Sequence, residues 1–172
     1  TSDHGFHLGE HDFWAKVSLR DESAKVPLII SAPGKKPGIC HSFVELLDLY
    51  PTLSSLCGLT KQDRLQGKDI SPMLDDPSYE VREEAFCVAP MRTGFLLRNK
   101  KWAFIQYGEK LPAQLKGGFE HGRNGIELFD MEQDPQQFTN LSDTLKYQPV
   151  VQSFRKKLQG KLAVIRDCDL KK

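Results

Sequence analysis

"GFLLRNKKWAFIQYGE", residues 94–109, constrains the fold more than any other stretch. Two apolar runs joined by the polar Asn99, Lys100 and Lys101 fit two antiparallel strands closed by a tight connection. Such a hairpin needs neighbours and a cover. "EAFCVA", residues 84–89, reads as a strand before it, and "GIELFDMEQDP", residues 125–135, as a strand that runs into a turn at Asp134 and Pro135. Val151, Phe154, Leu158, Leu162 and Ile165 then recur at spacings of three and four, which predicts an amphipathic helix. Antiparallel strands with one helix laid over them make a small α+β unit.

The first half has a different grammar. "VPLIISAPG", residues 26–34, is an apolar run without polar alternation, and predicts a strand buried on both faces of a parallel sheet. "SFVELLDLYPTLSSLCGL", residues 42–59, predicts a helix capped by the Asp48 carboxylate, with Pro51 in its first turn, Gly58 ending it, and Leu49, Leu53 and Leu56 on one face. Residues 60–84 are polar and read as a surface connector. The expected organisation is therefore residues 1–75 as an incomplete α/β domain and 76–172 as the α+β subdomain. With 24 Lys and Arg against 23 Asp and Glu, no basic field advertises a nucleic acid. No apolar run approaches the roughly 20 residues of a membrane span. Cys40, Cys57, Cys87 and Cys168 are too scattered for a C-x-x-C motif and read as buried thiols, with one or two disulfides open if the protein is exported.

Chemistry concentrates at the start. "TSDHGFHLGEHDFWAK", residues 1–16, holds three of the five histidines, two aspartates, a glutamate and a lysine. Two readings compete. His7 to His11, "HLGEH", matches the H-x-x-E-H zinc pattern, which needs a helix that Gly9 opposes. Alternatively "SDHG" is a corner where a strand ends, and Asp3 and His4 converge on one hard cation such as calcium.

The opening stretch followed by "VPLIISAPG", "VELLDLYPTLSSLCGL", "LQGKDISPML" and "ELFDMEQDPQQFTNLSD" resembles, in order and spacing, the carboxyl-terminal third of the type I sulfatases of the alkaline phosphatase superfamily. Within them, S-D-H-G, G-E-H and W-A-K are most similar to the iduronate-2-sulfatase-like branch. The resemblance implies an α/β, alkaline-phosphatase-like fold ending in the small α+β subdomain, and hydrolysis of sulfate esters, with a sulfated carbohydrate as substrate. It implies Asp3 as a calcium ligand, His4 as a ligand to calcium or to sulfate oxygens, Lys16 as the sulfate contact, and His11 lining the substrate pocket. His4 and Lys16 would be the catalytic pair. It also implies a periplasmic, secreted or lysosome-like location.

The family makes its nucleophile, formylglycine, from a cysteine or serine in C-x-P-x-R or S-x-P-x-R. None of the four cysteines has that context, and "SAPGK" has Lys35 where arginine is required. The expectation is a fragment that lacks the N-terminal catalytic portion and is inactive alone. Arg92, Arg98, Lys100 and Lys101 around the hairpin, with His121 and Arg123, are further candidates for contact with an anionic sugar; Arg155, Lys156, Lys157, Lys161 and Arg166 read as a solvated helix face. The rival enzyme reading is a phosphatase or phosphodiesterase of the same superfamily. The non-enzymatic one is a binding module with a decayed site.

Overall fold

The computed structural model describes residues 1–60, 62–89, 94–108 and 125–167, with side chains as far as residue 164. Arg92, His121, Arg123 and Cys168, and the side chains of Ile165 and Arg166, lie outside the described residues. After an opening turn, α1 spans Asp21–Ala24 and α2 spans Leu49–Leu56. Four strands follow: β1 Glu84–Val88, β2 Gly94–Asn99, β3 Trp102–Tyr107 and β4 Ile126–Asp130. They form one antiparallel sheet in sequence order. Helix α3, Gln148–Asp167, is the last element among the described residues. No described helix is long and apolar enough to cross a membrane.

The hairpin closes as its residues dictate. Asn99 Oδ1 accepts the backbone N–H groups of Lys101 (3.0 Å) and Trp102 (2.8 Å), so its side chain builds the turn. Period-two alternation then splits the apolar strands between two cores. Leu97, Phe104, Ile126 and Leu128 face Val151, Phe154 and Leu158 of α3. Leu96, Ala103, Ile105, Tyr107 and Phe129 face the other way, onto Phe13 and Leu19. Covering on both sides explains why β2, β3 and β4 read as nearly continuous apolar runs.

Three expectations are corrected. Residues 26–33 join no sheet among the described residues, and Ile29 is 84% exposed. A strand buried on both faces needs hydrogen-bonded neighbours on its edges, and β1 to β4 pair as strands only with one another, their outer edges meeting Glu45 and Asn140. Asp48 does not cap α2. It ends a 3-10 turn, Leu46–Asp48, and its buried carboxylate reaches back to the Glu45 N–H (2.8 Å) and across to the Lys68 N–H (2.8 Å) and Arg82. Nor is the leucine face of α2 its buried face: Pro51 and Thr52 are buried, while Leu53 is exposed. The Thr52 hydroxyl donates to the Asp48 carbonyl (2.6 Å) and accepts the Ile70 N–H (3.0 Å). Gly58 does end the helix with φ 66°. Cys40, Cys57 and Cys87 are free thiols; Cys57 is exposed and the other two are half-buried.

Candidate functional site

The opening stretch folds as two arms joined by a turn. The N–H of His7 donates to the Ala15 carbonyl (2.9 Å) and that of Gly9 to the Phe13 carbonyl (3.2 Å). Alternation along the arms buries His7 and Phe13 and leaves Phe6, Leu8 and Trp14 exposed. The first arm is also fastened at its start, where the Gly5 N–H donates to the Ser23 carbonyl (2.9 Å). A Cβ on Gly5 would lie 1.9 Å from the Glu22 carbonyl oxygen, so this approach to α1 needs glycine.

This pairing brings His4 and Lys16 together across the arms, with Lys16 Nζ 3.0 Å from His4 Nε2. Their donor and acceptor roles are fixed by chemistry. The Gly5 carbonyl can only accept, so His4 donates from Nδ1 (2.8 Å), and Nε2 is left to accept from the ammonium. Asp3 sits at the rim with its side chain 85% exposed and a carboxylate oxygen 3.5 Å from His4 Nε2. Its own backbone N–H and then His4 hold its carboxyl below the ordinary range. Asp3, His4 and Lys16 therefore share one place.

His11 does not join them. Its side chain is 4% exposed and lies inside a cluster of polar groups. Arg20 Nη1 donates to His11 Nδ1 (2.6 Å), which leaves Nε2 carrying the proton, 3.4 Å from Glu22. Burial first, and then the Arg20 charge, push the His11 pKa down. Burial does the same for His7. Arg20 also donates to the Gln137 carbonyl (3.0 Å) and to Glu127 (3.1 Å) on β4, and stacks over Phe129, 4.9 Å from the ring centre. The helix that an H-x-x-E-H zinc site needs is absent: Gly9 has φ 117° and His11 has φ 59°. Among the described residues no group of three metal-ligating side chains occurs.

The hairpin cations are engaged elsewhere. Arg98 pairs with Asp21 (3.3 Å), Lys100 with Glu80 and Lys101 with Glu132 (3.6 Å). On the last helix, Lys157 and Lys161 both reach Glu84, at 3.1 and 3.4 Å.

The N-sulphoglucosamine sulphohydrolase C-terminal family matches residues 9–163. This chain belongs to that family. Similar curated proteins include arylsulfatase K of Gallus gallus, 30% identical over 175 residues covering 93% of this chain and 30% of the relative. Choline-sulfatase of Rhizobium meliloti (strain 1021) is 32% identical over 147 residues, covering 83% and 26%. The solved structure of BT1596, a 2-O GAG sulfatase, superposes with a TM-score of 0.75 at 26% identity, covering 96% of this chain and 35% of that one. The fold is thus that of the alkaline-phosphatase-like sulfatases. This sulfatase C-terminal chain spans about a third or less of the length of the relatives it matches.

The family resemblance singled out Asp3, His4 and Lys16, which the structure brings together, but passed over the buried set of Arg20, Glu22, Glu127 and Gln137. One signal pointed to the buried set: Glu127 stands between Ile126 and Leu128 in an apolar strand, a position where a carboxylate needs a partner cation.

Proposed function

We propose that this chain supplies one wall of the active site of a calcium-dependent, formylglycine-type sulfatase that hydrolyses a sulfate ester on a sulfated carbohydrate. The observation that carries the reading is the exposed Lys16 ammonium held 3.0 Å from His4 Nε2, in a chain whose similar curated proteins are named sulfatases. As the S–O bond of a sulfate ester breaks, negative charge grows on the bridging oxygen. A fixed ammonium aimed there lowers the barrier, because its attraction is stronger in the transition state than in the ground state. Lys16 rests on His4 without substrate, and a sulfate oxygen takes the same N–H. His4, tied through Nδ1 to the Gly5 carbonyl, keeps its Nε2 lone pair turned to Lys16.

Asp3, together with His4 Nε2 once Lys16 has turned to the sulfate, would hold calcium, a carboxylate oxygen and an imidazole nitrogen out of the about six to eight ligands such an ion takes. They fit one edge of its coordination sphere. The remaining ligands and the formylglycine nucleophile would come from other parts of the enzyme. When bound, the ion supplies fixed positive charge beside the sulfate. Residues 1–75 would belong to the catalytic α/β domain and 76–172 to the C-terminal subdomain, and the chain alone would not turn over.

The S-D-H-G corner, the G-E-H step and W-A-K support an iduronate-2-sulfatase-like specificity, and the likeness to a 2-O GAG sulfatase supports a glycosaminoglycan or related polysaccharide. Such enzymes act in periplasmic, secreted or lysosome-like settings. The test is turnover by the full-length enzyme on a 2-O-sulfated uronate disaccharide, a phosphate monoester and a phosphate diester, before and after calcium removal. Faster sulfate release, lost with calcium and restored by it, is expected. Preference for a phosphate ester would favour a phosphatase or phosphodiesterase, and no turnover of any ester a non-catalytic module.

A further inference from the structure

The turn joining the two arms is built against backbone preference. Gly9, His11 and Asp12 all have positive φ, at 117°, 59° and 54°, and two of the three carry a Cβ that disfavours this region. Backbone bonds from Asp12 to Gly9 (3.1 Å) and from Phe13 to Glu10 (3.2 Å) tighten it. Its exit sets where the second arm lies, with Ala15 opposite His7 and the Lys16 side chain reaching diagonally to His4.

The His11 side chain ties this turn inward. Its ring is bracketed by Arg20 at Nδ1 and Glu22 at Nε2, and lies 4.8 Å from the Phe138 ring. Arg20 is itself fixed to Glu127 of β4 and to the carbonyl of Gln137, another left-handed residue with φ 59°. The turn is therefore referenced to the sheet through the Arg20 guanidinium, as well as through Phe13 packed into the core at its exit. No other side chain of residues 9–12 is buried in this way, since Glu10 and Asp12 are exposed.

We infer that His11 is a positioning residue for sulfate binding: gripped by Arg20, it locks the left-handed turn and so sets Lys16 against His4. It acts through Lys16 and does not itself touch the sulfate. The inference rests on Lys16 being the sulfate contact.

A double-mutant cycle in the full-length enzyme tests it, with kcat/KM for a sulfated disaccharide and the melting temperature measured for each variant. His11→Ala should lower kcat/KM about 10-fold to 100-fold, the scale of an ångström-level misplacement. In the Lys16→Ala background the same change should cost less than about threefold, because the residue it acts through is gone. His11→Asn should recover most of the activity, since asparagine tolerates left-handed backbone and its amide oxygen can accept from Arg20. If His11→Ala does not fold, the cycle is run with His11→Asn and its milder loss. An equal fold loss in both backgrounds would overturn the positioning role while leaving Lys16 as the sulfate contact. An unchanged kcat/KM for Lys16→Ala alone would overturn the site reading and this inference together.

Discussion

The guanidinium of Arg20 lies 3.1 Å from the carboxylate of Glu127, 107 residues away in sequence, and both residues are buried, at 5% and 0% exposure. This pair joins the N-terminal segment to β4, the last strand of the sheet. A buried ion pair adds modest net stability when intact, yet loss of one partner strands the other charge away from water. Glu127→Ala should therefore cost about 3–5 kcal/mol. Calorimetry of the full-length protein should show a lower melting temperature, and the double change Arg20→Met with Glu127→Leu should recover much of it.

Asp48 and Arg82 form a second such anchor in the first half of the chain. Burial alone would raise the Asp48 carboxyl, but Arg82 and the N–H groups of Lys68 and Glu45 outweigh it and hold the group below its ordinary 3.8. The contribution is present above that value and is lost as pH falls beneath it. Asp48→Asn leaves Arg82 only the longer contact with Glu45 (3.8 Å), and the loss is expected to be about 3 kcal/mol at neutral pH. Chemical denaturation near neutrality and again in acid measures it; the gap between mutant and parent should close in acid.

His7 and His11 titrate in the opposite direction from a salt-bridged histidine. Burial holds both below the ordinary 6.5, so the unfolded chain takes up protons first as the solution is acidified. Stability is full above about 6.5 and declines below it. Melting temperatures from pH 7.5 down to 5 should fall, and His11→Asn should flatten part of that slope.

The hairpin, the last strand and α3 were legible because each follows from local rules: Asn99 in the turn, alternating faces, and apolar positions three and four apart. The strand expected at residues 26–33 failed because apolar content alone does not say which edges will find partners. Asp48 misled for a related reason, since its cap-like position hid a partner, Arg82, that lies 34 residues downstream. Within the site, Asp3, His4 and Lys16 could be found from their spacing in a recognisable motif. Arg20 carries no such mark. Its role depends on contacts with Glu127 and Gln137 that no local pattern encodes, and the grip of Arg20 on His11 is equally absent from any local pattern.

Metal binding offers a separate check on Asp3. In the full-length enzyme, added calcium should raise the melting temperature by preferential binding to the folded state, and Asp3→Ala should shrink that rise. An undiminished rise would take Asp3 out of the ligand set.

The most direct measurement is the effect of Lys16→Ala on kcat/KM of the full-length enzyme for a sulfate ester. Loss of an ammonium that meets charge growing on the bridging oxygen should lower kcat/KM about 100-fold to 1000-fold. The melting temperature should stay unchanged, because Lys16 is exposed. A kcat/KM equal to that of the parent enzyme would contradict the assignment of this pair as the sulfate-binding wall.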